Sequence, residues 1–317
     1  MLSRVAQRVY WLARYLERAE NTARLLNVFS TLLLDLPRGT KVGWHTLVEI
    51  TGTDGEFDER NRAADERSVI RFLLSESNGL SILNSLAMAR ENARTAREII
   101  PAEAFEQINN LYIYGKENAA KGISRGPRHE LLHQIICNCQ QLTGLLAGTM
   151  SHNAAYSFIR IGRNLERADM TTRIVDVGSG SLLPDLTSRT DGDGPASEPY
   201  ENILWMSVLR SISAYQMYRQ HVRDRVNAED VVMFLLQDGL FPRAVVHCLT
   251  AAQSSVEDLP HNENVLRQVA LALRHAREAK IPELLDGGLF QYLDELQVQI
   301  GAVHIRIAET WFLPTNT

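Results

Sequence analysis

A sixteen-residue motif that occurs twice constrains this chain more than any other feature: ARYLERAENTARLLNV at residues 13–28 returns as GRNLERADMTTRIVDV at 162–177, an offset of 149. The alignment pairs Arg14 with Arg163, Leu16-Glu17-Arg18-Ala19 with Leu165-Glu166-Arg167-Ala168, Glu20 with Asp169, and Arg24 with Arg173. Further blocks keep the same order. WHTLVEI from Trp44 resembles WMSVLRS from Trp205 at an offset of 161, and VIRFLLS from Val69 resembles VVMFLLQ from Val231 at 162. Pro101 and Pro260 then close comparable segments. Ordered blocks of this kind predict a tandem duplication. Repeat 1 covers about residues 1–150 and repeat 2 about 151–317, each with four or five helices.

Helical periodicity dominates between and within these blocks. Leu2, Val5, Val9, Leu12, Leu16, Ala19, Ala23 and Leu26 recur at steps of three and four, one apolar face of a helix over 2–34 with Ser3 as its N-cap. Leu36-Pro37-Arg38-Gly39 is a stop. A helix is expected from Val42 past Leu47, then a polar loop from Thr51 to about Arg67. Helices follow over Ser68 to Glu76, Leu80 to Ile100 after the Asn78-Gly79 break, 102–120, 128–149 and 152–177. Residues 178–199, rich in Gly, Ser, Pro and Asp, read as an exposed connection inserted early in the second copy. Helices resume at Tyr200 and run to Phe312, with breaks near Asp238-Gly239, Pro260 and Pro282. The expected fold is all-α, a multi-helix bundle: 1–177 as the first half plus the start of the second repeat, and 200–317 as the remainder.

Composition narrows the function classes. A net charge of -5 without a long basic run argues against a nucleic-acid binder. Three cysteines, Cys137, Cys139 and Cys248, have no framework spacing and fit a reducing cytosol. Arg4, Gln7, Arg8 and Arg14 interrupt the apolar N-terminal residues, which is read as no signal peptide, and no stretch is long enough to span a membrane. A cytoplasmic location is expected. Self-association as a homo-oligomer is compatible with this composition.

The repeated motif places its charges beside the buried stripe. At about 100° per residue, Glu20 sits at the stripe's edge with Arg24 and Glu17 next to it and Ala13 in the same sector. Asp169, Arg173, Glu166 and Gly162 are the equivalents. The candidate set is Arg14, Glu17, Arg18, Glu20 and Arg24 in one copy, and Arg163, Glu166, Arg167, Asp169 and Arg173 in the other. Carboxylates at a core boundary are costly unless paired or liganded. One reading is a structural ion-pair network, with neighbours such as Arg94 or Arg243. The other is a polar pocket for a metal or charged ligand, as in carboxylate-bearing bundles. The arginines would repel a cation, and no histidine partners accompany them.

Two other stretches carry chemistry. Arg90, Arg94 and Arg97 share a helix face that would suit a carboxylate or phosphate, or be simply solvated. His129-Glu130-Leu131-Leu132-His133 spells H-E-x-x-H, the spacing of a zinc peptidase helix. It follows Pro127-Arg128 at an expected helix start, where the first turn frays, and no third ligand is evident beyond Glu166. No phosphate loop or dinucleotide fingerprint calls for a cofactor.

YWLARYLERAENTARLL resembles the bacterial alpha-E family of all-helical proteins. The likeness continues through FLLSESNGLSILNSLAMARENARTARE, SRG at 124–126, IGRNLERADMTTRIVDV and FLLQDGLFPRAVVHCL at 234–249. The resemblance implies a small or acidic residue where His129 falls, which weighs against zinc. It also implies genomic association with a circularly permuted ATP-grasp protein, and often a transglutaminase-like protease. The function it suggests first is an accessory subunit of an ATP-grasp amide or peptide ligase. A ligand- or metal-binding enzyme component built on the Glu-Arg motifs comes second, and a zinc peptidase third. Fold and neighbours do not by themselves establish chemistry.

Overall fold

The computed structural model describes residues 3–35, 43–60, 63–77, 80–179 and 198–313, and no strand occurs among them. The first half comprises α1 (Ser3–Asp35), α2 (His45–Thr51), α3 (Asp54–Arg60), α4 (Glu66–Ser75), α5 (Ile82–Thr95), α6 (Ala102–Gly122) and α7 (Arg125–Thr149). After α8 (Ala154–Ser179) come α9 (Glu198–Ser211), α10 (Tyr215–His221), α11 (Ala228–Gln237) and α12 (Val245–Glu257). Then follow α13 (Glu263–Arg277), α14 (Ile281–Leu285), α15 (Leu289–Ile307) and a π-helical turn at Ala308–Phe312.

The apolar period of α1 decides what it buries: Val9, Leu12, Leu16, Ala19, Ala23 and Leu26 are all buried. Local chemistry sets several helix starts. The Ser81 hydroxyl accepts from the Asn84 N–H, the Asp65 carboxylate from Ser68 N–H, and the Asn227 amide oxygen from Asp230 N–H.

Several boundaries differ from expectation. Residues 51–67, expected as loop, contain α3; its one apolar side chain, Phe57, is buried edge-on against Phe72 at 5.1 Å, an anchor that a polar composition conceals. The helix expected over Leu80 to Ile100 is shorter, because Ser81 caps it and turns replace it after Thr95. Helix α7 begins at Arg125 rather than 128, so His129 lies in its second turn and not at a fraying end. The break expected near Pro282 falls at 278–280; Pro282 itself sits in the first turn of α14, where its missing N–H costs nothing, and a further break follows at Gly287 and Gly288, both with positive φ. Two unexpected interruptions separate α9 from α10 at Ser213 (φ 55°) and α10 from α11 at 222–227. The Pro37-Gly39 stop, Val42, Asn78-Gly79 and residues 180–197 of the Gly/Ser-rich connection lie outside the described residues.

The two motif helices form the central pair. α1 packs along α8, and also against α5 and α7; α8 packs in turn against α12 and α15. α6 bridges α5 and α7, and α13 bridges α12 and α15. α2 leans on α8, whereas α9 leans on α1. Gly162 permits a close approach: a Cβ there would fall well inside contact distance of the Tyr10 carbonyl oxygen.

Candidate functional site

Because α1 and α8 touch along their motif faces, the charged residues meet across the seam as well as along each helix. Glu166 is 3% exposed and is paired by α1. Arg14 Nε donates to its Oε2 at 2.6 Å, while Arg18 donates Nε to Oε1 at 2.6 Å and Nη2 to Oε2 at 3.1 Å. The opposite side of the seam holds Glu17, 2% exposed. Arg243 Nη1 donates to Glu17 Oε1 at 2.7 Å, and Arg167 Nε stands 3.0 Å from Glu17 Oε2 as an ion pair. Arg243 also donates Nη1 to Asn21 Oδ1 and Nη2 to Glu20 Oε1, each at 2.7 Å. Arg24 closes that group through Nε and Nη2 to Glu20 Oε1 at 3.0 and 2.8 Å, and through Nη1 to Ser213 Oγ at 2.5 Å.

The electrostatics follow from this pairing. Burial works to raise the Glu166 pKa, but Arg18 and Arg14 outweigh it and hold the carboxyl at about 2. At Glu17 burial is likewise overcome by Arg167 and Arg243, again to about 2. Both groups are fixed anions across the physiological range, saturated with guanidinium donors. Arg163, the counterpart of Arg14, is different: its buried Nε has no hydrogen-bond partner among the described residues, and burial, reinforced by Arg167, lowers its pKa.

Two cavities flank the seam. The first, about 240 Å³, is lined by Arg14, Arg18, Glu166, Asp169, Arg173 and His304, with Thr22, Thr51 and an apolar wall that includes Leu80, Met170 and Ile300. Arg173 Nε donates to Asp169 Oδ2 at 3.0 Å, and its guanidinium lies over Gly52, whose φ of +67° and absent Cβ leave the room. The second, about 250 Å³, is lined by Glu20, Arg167, Ser213, Pro242 and Arg243 among others. A wider recess near the Ser124-Arg125-Gly126 stretch holds another buried arginine, Arg128, whose Nη1 donates to Glu66 Oε1 at 2.9 Å.

Sequence reasoning missed Tyr10 and His304. The Tyr10 hydroxyl lies 2.8 Å from His304 Nδ1, the rings stack at 5.6 Å, and Arg14 Nη1 donates to the same hydroxyl at 3.3 Å. An arginine can only donate, so the Tyr10 oxygen accepts from Arg14, and the imidazole tautomer sets which group donates between Tyr10 and His304 Nδ1. Burial, then Arg14, lowers the His304 pKa to about 4. Folding therefore resists protonation here. The resulting cost is absent above the unfolded value of 6.5 and grows as pH falls towards 4. A His304→Gln protein is expected to show a flatter stability profile than the parent between those two pH values, read by urea denaturation; an unchanged slope would place His304 in water. A histidine at the edge of an apolar helical stripe is the only local signal, and its partner stands 294 residues away.

The remaining candidates do not join this site. Arg90 Nε donates to Asn109 Oδ1 at 2.7 Å, Arg94 forms a two-pronged exposed pair with Glu91 at 2.8 and 2.6 Å, and Arg97 lies 3.9 Å from the Phe105 ring centre. Each has a separate local partner, so they do not converge, and Arg94 is not a neighbour of Glu17. His129 Nδ1 lies 2.7 Å from Asn27 Oδ1, Glu130 accepts from Gln134 at 2.9 Å, and His133 stands beside Cys137. All three are exposed, and Glu166 is engaged in the α1–α8 seam. Among the described residues no three His, Cys, Asp or Glu side chains gather to hold a metal. Cys137 is exposed, while Cys139 and Cys248 are buried thiols. No described helix is long and apolar enough to cross a membrane.

Known proteins similar to this chain are uncharacterised. An uncharacterised protein of Mycobacterium bovis is 22% identical over 332 aligned residues, covering 94% of this chain but 35% of the relative. Two uncharacterised Mycobacterium tuberculosis proteins, 22% and 21% identical, show the same coverage. The chain thus spans about a third of the length of these relatives. No solved structure matches it. Residues 1–312 match Alpha-E, described as a predicted alpha-helical domain with a conserved ER motif, and Glu17-Arg18 and Glu166-Arg167 are the ER pairs of the seam. The chain belongs to the Alpha-E family.

Proposed function

We propose that this chain is a helical accessory component of a cytoplasmic ATP-grasp amide- or peptide-bond-forming system, and not an enzyme complete in itself. The observation that carries the reading is the size of its relatives. About two thirds of each lies outside the match, so the Alpha-E unit works there beside further protein. The resemblance supplies the class of that neighbour, an ATP-grasp ligase with a transglutaminase-like protein as a further partner. The seam chemistry agrees. Glu17 and Glu166 are held as paired anions, which suits helix locking better than proton transfer.

The reading includes a duplicated origin for the scaffold, with repeats over about 1–150 and 151–317. Its support is the reciprocal pairing of Arg18 with Glu166 and Arg167 with Glu17, and the positive φ at both Gly52 and Ser213. A second reading, a ligand-binding component that acts on the ligase's substrate or product, is favoured by the cavity at Asp169 and Arg173.

The test is to co-express the chain with its ATP-grasp partner and follow ADP release and amide formation with a panel of amines. Co-elution and a product yield at least several-fold above that of the ligase alone are expected. A ligase that neither associates with the chain nor changes its rate or product when the chain is added would refute the proposal.

A further inference from the structure

The two sides of the seam differ where Arg243 stands. Arg243 lies two residues before α12, and its guanidinium bridges Glu17 and Glu20. The residue two before α5 is Leu80, and it lines the first cavity beside Glu166 and Asp169. A leucine there brings no cation. The consequence is visible in exposure: the Glu20 and Arg24 side chains are 2% and 10% exposed, whereas Asp169 and Arg173 remain at 23% and 30%. Among the described residues Arg173 alone donates to Asp169, through Nε to Oδ2. The first cavity therefore keeps the acidic wall of the second without the guanidinium that covers it.

The same wall also offers donors. Arg18 spends Nε and Nη2 on Glu166, and Arg173 spends Nε on Asp169, which leaves outer guanidinium nitrogens at the cavity. Three arginines against two carboxylates leave one surplus positive charge. The volume, about 240 Å³, lies below the ~300–1,000 Å³ of pockets for drug-sized molecules. Leu80, Met170 and Ile300 supply an apolar side. We propose that this cavity binds a free α-amino acid with a small apolar side chain. Its ammonium group sits on Asp169, as the Arg243 guanidinium sits on Glu20, and its carboxylate takes the outer nitrogens of Arg18 and Arg173. The inference stands on this half of the seam and does not depend on the ligase reading.

The test is calorimetric titration of the full chain with the twenty amino acids at millimolar concentration, together with N-acetyl and methyl-ester forms of any binder. One apolar amino acid is expected to bind at a single site, with both blocked forms at least roughly tenfold weaker, about 1.4 kcal/mol. Leu80→Arg, which installs the missing guanidinium, is expected to abolish binding. Asp169→Asn, at a partly exposed carboxylate, is expected to weaken binding at least tenfold with helix content unchanged, and decides the matter if Leu80→Arg does not fold. No binding by any of the twenty, equal binding by a blocked form, or binding that survives Asp169→Asn would each overturn the proposal, whether or not the chain engages a ligase.

Discussion

Glu166→Gln is expected to lower the stability of this protein by about 3–5 kcal/mol, the usual cost of removing one partner from a buried ion pair. The substitution keeps shape and volume, so the loss is electrostatic. Arg14 and Arg18, with side chains 11% and 15% exposed, would be left beside each other at the seam without their shared counter-charge. Glu17→Gln is expected to cost less, because Arg243 retains Glu20 and Asn21 as acceptors. Urea denaturation at pH 7 measures both, and equal losses would contradict the pairing described. Acid adds a second reading. The folded Glu166 carboxyl titrates at about 2 against an ordinary 4.5, so its contribution is full above the ordinary value and drains away as pH falls through the interval between them. The parent should lose stability across that interval more steeply than Glu166→Gln.

Gly162→Ala is expected to be damaging for a steric reason. The added methyl would be driven into the Tyr10 carbonyl, a backbone group that cannot swing away as a side-chain tip can. Overpacking typically costs ~1–3 kcal/mol, and the upper end is expected here. Separating α1 from α8 would also stretch every ion pair that crosses the seam. Gly144→Ala is the control. That glycine is exposed within α7, with nothing within 4 Å of its would-be Cβ, so replacement should stabilise by up to ~1 kcal/mol. Thermal melting of the two proteins should therefore shift in opposite directions. A neutral Gly162→Ala would mean that the helices do not approach as described.

Much of the fold is legible in residue order because helices are local. The three-and-four spacing in α1 names its buried face, and Pro101 and Pro260 mark real breaks. Short elements are less legible. Phe57 turns the other six residues of a polar-looking segment into α3 only because Phe72 is there to receive it, a contact between segments that periodicity does not register. The site divides in the same way. Glu20 with Arg24 is one turn of one helix, and the wheel anticipates it. Arg243 and Arg94 were equally eligible neighbours by pattern, yet Arg243 enters the seam and Arg94 turns outward to Glu91.

That the chain is helical, and that two Leu-Glu-Arg-Ala segments carry carboxylates and guanidiniums along the margin of a buried stripe, can be read from residue order alone. Both are properties of a single helix, set by a period of about 3.6 residues. Who pairs with whom depends on how the helices cross. Glu166 belongs to the arginines of α1, and Glu17 to Arg167 and Arg243. Tyr10 reaches His304 from the other end of the chain. A helical wheel gives the direction a side chain leaves its axis but not the register at which another axis crosses. That register is set by the close approach at Gly162 and by the packing of every helix around it.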